Sequence, residues 1–112
     1  SRFWCWEPVL FFGSGFGKSR SNDIFDFPIG QQKDVGNHPC PKPLKMWVDL
    51  IENYSEPNDV IYECFGGSGT TLMACVETKR ICRIMEISEK YGAVILERFY
   101  TATGITPELV TE

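Results

Sequence analysis

The stretch Val60-Ile61-Tyr62-Glu63-Cys64-Phe65-Gly66-Gly67-Ser68-Gly69-Thr70-Thr71-Leu72 decides the fold. Val60, Ile61 and Tyr62 are β-branched or aromatic and predict a short strand. The glycines that follow predict a tight turn whose backbone lies open to close approach. From Thr70 the pattern predicts a helix to about Thr78, then a strand around Ile81 to Met85. Ser88 is placed to cap a last helix with Tyr91, Val94, Ile95 and Phe99 on its buried face, ended by Gly104 and Pro107. Before the stretch, Pro43 suits a first helical turn, and Leu44, Trp47, Val48 and Ile51 form one apolar stripe of about 100°. Ser55-Glu56-Pro57-Asn58-Asp59 breaks that helix. The order from residue 43 is helix, strand, glycine loop, helix, strand, helix, so the fold class is α/β with a mainly parallel sheet. Ligands of such open sheets bind beyond the carboxyl ends of the strands, where this loop lies.

Further from the loop, the pattern thins. Residues 3–12 are aromatic-rich enough for a strand, with Pro8 favouring an edge position. Residues 13–22 form a basic, glycine-rich loop, and Asp23 to Phe27 alternates as a short strand stopped by Pro28. The 112 residues fit one domain, divided into edge strands and loops over 1–42, the βαβ portion over 43–104 and a tail over 105–112. The chain begins at Ser1 and runs at once into Phe3-Trp4-Cys5-Trp6, from which we expect a piece of something longer.

Composition excludes several classes. Hydrophobic residues make up 43% of the chain, which argues against global disorder. No apolar run approaches the roughly 18 residues of a spanning helix, and no signal-peptide pattern occurs in the sequence. The five cysteines, Cys5, Cys40, Cys64, Cys75 and Cys82, are odd in number and make no C-x-x-C pair, and His38 is the one histidine. Reduced thiols and a cytoplasmic setting are expected, with no metal site. Residues 1–45 hold six basic and four acidic side chains, whereas residues 46–112 hold five and eleven. The second half is too acidic to hold a phosphate backbone by charge, so any contact with nucleic acid would fall to the first half, the basic loop 13–22 included, or to a missing piece.

Two glycine loops compete for a ligand. Gly13-Ser14-Gly15-Phe16-Gly17-Lys18-Ser19 has Phe12 where a phosphate-binding loop needs glycine, and the polar run from Arg20 to Asp23 gives no helix a face to bury. It reads as a plain loop. The loop at 66–69 lacks a dinucleotide fingerprint, since Leu72 holds the third glycine's place. It does have a carboxylate, Glu86, at the end of the next strand, where an acid accepts hydrogen bonds from ribose hydroxyls. Singly, each residue reads as a turn or a surface acid; together they favour a nucleoside cofactor.

Three ordered blocks then carry a resemblance that covers nearly the whole chain. His38-Pro39-Cys40-Pro41-Lys42-Pro43, Phe65-Gly66-Gly67-Ser68-Gly69-Thr70-Thr71-Leu72, and Glu86 with Tyr91 resemble the carboxy-terminal half of DNA amino-methyltransferases acting on adenine N6 or cytosine N4. The order is that of the permuted class, and the run from Tyr91 through Arg98-Phe99 to Thr103-Gly104 is similar to phage and prophage members, as are Trp6 to Leu10 and Asn22 to Phe25. The family writes the first block His-Pro-Thr-Gln-Lys-Pro and the second Asp-Pro-Phe-x-Gly-Ser-Gly-Thr-Thr. The chain departs from it at Pro41, Glu63 and Cys64, and at Ile84, where glycine is frequent.

The resemblance implies a partial Rossmann-like methyltransferase fold that binds S-adenosyl-L-methionine, with the amino-terminal strands at the sheet edge. Gly67, Ser68 and Gly69, running into Thr70 and Thr71, would wrap the cofactor's methionine part, with Phe65 beside it. Glu63 would face the amino group and sulfonium, Glu86 the ribose and Ile87 the adenine. His38, Cys40 and Lys42 would close from the other side. The family's base-binding tetrad, Asp/Ser/Asn-Pro-Pro followed by an aromatic, needs a Pro-Pro dipeptide that this chain lacks. In the permuted order the tetrad precedes residue 1, so no catalytic residue is expected here and the chain alone is expected to be inactive. Such a half leaves a strand edge exposed, which implies pairing with another copy or with the missing half. The competing reading is a non-catalytic prophage remnant serving as a binding or assembly module; action on RNA or protein fits the joint blocks less well.

Overall fold

The computed structural model describes residues 43–111 together with Leu10, Phe12 and Gly13. The strands expected at 3–12 and 23–27 lie outside the described residues for the most part, as do His38, Cys40 and Lys42. The elements follow in the order α1 (Leu44–Tyr54), β1 (Val60–Glu63), α2 (Thr70–Thr78), β2 (Ile81–Ile84) and α3 (Glu89–Thr103). The two strands pair in parallel, with Val60 opposite Ile81 and Glu63 opposite Ile84. Backbone pairing extends past both ends: Ile81 N–H donates to the Asp59 carbonyl at 2.9 Å, and Met85 N–H to the Glu63 carbonyl at 2.8 Å. β2 stops one residue short of the expected Met85, although that residue's backbone still bonds to the neighbouring chain segment.

Alternation along the strands sorts their side chains. Ile61 and Cys82 turn to the face covered by the helices, where they pack with Leu44, Trp47 and Val48 around buried Ile51, Ala74 and Cys75. Ala74 has no exposed surface, and its small side chain lets α1 and α2 approach closely. Val60, Tyr62 and Ile81 turn the other way and stay exposed, Tyr62 at 72%. A parallel sheet is ordinarily covered on both faces; among the described residues only one face is.

The ends are held by local chemistry. Ser88 Oγ accepts from Tyr91 N–H at 3.3 Å, the cap expected for α3, and Gly104 ends that helix in the left-handed region at φ 71°. α2 ends without glycine, Lys79 itself adopting φ 62°. The Arg80 guanidinium donates to the Ser55 carbonyl at 2.7 Å, Ser55 Oγ at 3.0 Å and the Thr78 carbonyl at 2.8 Å, tying the end of α1 to the end of α2. Of the expected buried face of α3 only Ile95 is fully buried; Tyr91, Val94 and Phe99 are half-buried. Burial pushes the Cys82 thiol up to about 12, with the neighbouring Cys75 adding to the effect, so these two thiols are packing groups.

Ile51 sits at the centre of the helix-covered face, so Ile51→Ala is expected to lower unfolding free energy by about 2–4 kcal/mol. Ile81→Ala, on the open face, is expected to cost less than about 1 kcal/mol. Urea titrations of the two variants followed by circular dichroism check the contrast.

Candidate functional site

Two carboxylates stand at the carboxyl ends of the neighbouring strands, and both grip the glycine loop. Glu63 ends β1: its Oε1 accepts from Phe65 N–H at 2.9 Å and its Oε2 from the Thr71 hydroxyl at 2.8 Å. Glu86 lies two residues beyond β2: its Oε2 accepts from Gly67 N–H at 2.5 Å and its Oε1 from Ser88 N–H at 2.9 Å. Glu63 therefore joins the start of the loop to the first turn of α2, where a negative charge meets the helix's positive end. Glu86 joins the middle of the loop to the start of α3. An ionised carboxylate offers about four acceptor positions.

The loop between them is closely packed. Gly66 N–H donates to the Met85 carbonyl at 2.8 Å, and Gly69 N–H closes the turn onto the Gly66 carbonyl at 2.9 Å. A Cβ on Gly66 would lie 2.8 Å from Ile84 Cδ1 and Cγ1 and 3.1 Å from the Met85 carbonyl oxygen. Gly67 and Gly69 adopt φ of 54° and 86°, which favour glycine. Ser68, Thr70 and Thr71 are buried, whereas Phe65 is 89% and Ile87 fully exposed. The rim of the loop thus shows bare apolar surface beside paired carboxylates.

The structure brings together Glu63, Phe65, Gly67, Ser68, Gly69, Thr70, Thr71, Glu86 and Ile87 around one loop. It adds a residue that sequence patterning missed. Arg98, on α3, donates from Nη1 to the Ser68 carbonyl at 2.7 Å, with Ser68 Oγ at 3.5 Å. Burial lowers the pKa of that guanidinium. The signal was a cation three residues after Ile95, on the apolar side of the helix. No group of three or more metal-binding side chains occurs among the described residues.

A family model described as DNA methylase, for N6 and N4 methyltransferases, matches residues 10–97. The chain belongs to this DNA methylase family. It is 32% identical over 98 residues to the type II methyltransferase M2.MboI of Moraxella bovis, an alignment covering 86% of this chain and 35% of that one. It is 34% identical over 55 residues to the putative methylase YubD of Escherichia coli K12, covering 49% of this chain and 24% of the relative. Among solved structures, the M1.HpyAVI–SAM complex matches with a TM-score of 0.62 at 28% identity, over 75% of this chain and 43% of that chain. A putative DNA modification methylase from Thermus thermophilus, complexed with S-adenosyl-L-methionine, matches with a TM-score of 0.53 at 33% identity, over 55% and 25%. The described fold is accordingly that of S-adenosylmethionine-dependent methyltransferases, and this methylase chain spans less than half the length of these relatives.

The contact between Gly66 and Ile84 predicts a coupled pair. Gly66→Ala alone is expected to destabilise by about 1–3 kcal/mol through overpacking. In the Ile84→Ala background the same change is expected to cost at least about 1 kcal/mol less. A double-mutant cycle in urea measures the coupling.

Proposed function

We propose that this chain is the S-adenosylmethionine-binding part of a DNA amino-methyltransferase that modifies adenine N6 or cytosine N4. The observation that supports it best is the pair of carboxylates at adjacent strand ends, each holding amides of the loop where a ligand of the sheet would lie. The residues present fit such a cofactor. Gly67 presents half-buried backbone without a side chain, and Phe65 and Ile87 offer exposed apolar surface to a purine or a methionine chain. Two of the matched methylase structures are complexes with the same cofactor.

When bound, the cofactor supplies a methyl group made electrophilic by its sulfonium sulfur. This chain's residues bind and orient. The Glu86 carboxylate would accept from the ribose hydroxyls, while Glu63 would set a negative charge near the cationic end. Phe65 and Ile87, exposed at the rim, would give the purine and the methionine chain apolar surface to pack on. His38, Cys40 and Lys42 are assigned to the opposite wall from the family block alone.

Transfer to DNA needs a base removed from the helix and held with its amine toward the methyl carbon. The family does this with a tetrad containing Pro-Pro, and none occurs in these 112 residues. The sheet face at Val60, Tyr62 and Ile81, uncovered among the described residues, further supports a partner surface for the remainder of the methylase or a second copy. We assign DNA contact chiefly to that remainder.

Calorimetry with S-adenosylhomocysteine tests the reading. The chain is expected to bind it, Glu86→Ala to weaken binding roughly 10- to 100-fold through lost charge-assisted hydrogen bonds, and Gly67→Val to abolish it. No binding by the unmodified chain would overturn the cofactor reading. A duplex oligonucleotide labelled from methyl-tritiated cofactor by this chain alone would overturn the division of labour.

A further inference from the structure

The glycine loop is braced from a third direction, by α3. Ile95, the fully buried residue of that helix, lies against Gly69 so closely that a Cβ there would meet its Cγ1 at 3.0 Å. One turn on, Arg98 reaches the same loop and donates to the Ser68 carbonyl at 2.7 Å. Ser68 is itself 4% exposed, so this bond is shielded from water at its acceptor end.

The Arg98 contact also constrains the loop amides. In a trans peptide the carbonyl and the following N–H point in opposite directions. Fixing the Ser68 carbonyl on Arg98 therefore turns the Gly69 N–H away from α3, toward the Gly66 carbonyl that it meets at 2.9 Å. Ser68 lies on one side of this peptide unit, and on the other lies Gly69, with a left-handed φ of 86° and no side chain to restrict it. Without the Arg98 bond to the Ser68 carbonyl, the Gly69 N–H bond to the Gly66 carbonyl is left to hold this unit against rotation at Gly69. The Glu86 grip falls on the Gly67 N–H, ahead of the 68–69 unit.

We propose that Arg98 is a positioning residue for cofactor binding: its guanidinium sets the orientation of the 68–69 peptide and so keeps the turn in its binding-ready form. The proposal rests on the cofactor reading above. A lysine, which also reaches with a charged donor, preserves most of the effect, whereas methionine, an unbranched apolar chain with no donor, removes it.

Amide hydrogen exchange by NMR on the cofactor-free chain, together with calorimetry, tests it on Arg98→Met and Arg98→Lys. For Arg98→Met, exchange at Gly67, Ser68 and Gly69 is expected to quicken at least about tenfold while α1 and the carboxyl half of α2 keep their rates. Affinity for S-adenosylhomocysteine is expected to fall about tenfold, with Arg98→Lys recovering most of both. Unchanged loop exchange in Arg98→Met would overturn the proposal, as would a loss of protection spread evenly through the chain or a lysine variant no better than methionine. If Arg98→Met does not fold, Arg98→Gln is read by the same criteria. If the unmodified chain binds no S-adenosylhomocysteine, the cofactor reading fails by itself, and the exchange comparison still decides whether Arg98 sets the loop.

Discussion

The grip of the Glu86 carboxylate on the Gly67 and Ser88 amides is the interaction on which the rest of the site depends. A run of Gly-Gly-Ser-Gly loses more backbone freedom on ordering than any other four residues of the chain. The chain meets that cost with fixed partners. Glu86 is itself in place because the parallel ladder runs past β2, with Met85 bonded to Glu63 on one side and to Gly66 on the other. Sheet pairing, loop shape and carboxylate position are therefore one arrangement rather than three.

The rest of the structure serves that arrangement from behind. α1 and α2 pack their apolar faces over Ile61 and Cys82, and Arg80 ties their far ends together. The core lies near the amino-terminal half of the strands and behind them, while the polar work is done at their carboxyl ends. Ile51, Ala74 and Cys75 hold the body, whereas Glu63 and Glu86 stand half-buried at the strand ends around a loop whose Ser68 is itself buried. Two of this chain's departures from the methylase family's pattern, Glu63 and Ile84, make contacts with the loop. Glu63, one methylene longer than the family's aspartate, still reaches both the Phe65 amide and the Thr71 hydroxyl. Ile84, in place of a frequent glycine, fills the space over Gly66.

Much of this was legible in the sequence because it is local. The stripe from Leu44 to Ile51, the Ser88 cap and the Gly104 terminus depend on neighbours within a few residues, and all three are observed. Glu86 was legible as an acid at a predicted strand end, and Glu63 through the family resemblance. Arg98 was not, because its acceptor is a backbone carbonyl 30 residues away, and a carbonyl is the same in every residue type. Nor did the apolar character of Val60, Tyr62 and Ile81 tell which face of the sheet they join, since an isolated short strand of continuous apolar residues has no polar side to mark. The extent of burial on α3 was overread for a related reason: Tyr91, Val94 and Phe99 share the stripe with Ile95, yet only the last is fully buried, where it meets the loop.

The central claim is that the turn after β1 cups an adenosyl group whose sugar is held from the end of β2. A crystal structure of this chain grown with millimolar S-adenosylhomocysteine tests it most directly. The account predicts adenosyl density against residues 65–69 with both ribose hydroxyls within hydrogen-bond distance of the Glu86 carboxylate. A hollow filled by the chain's own side chains, or a ligand seated elsewhere, would contradict it.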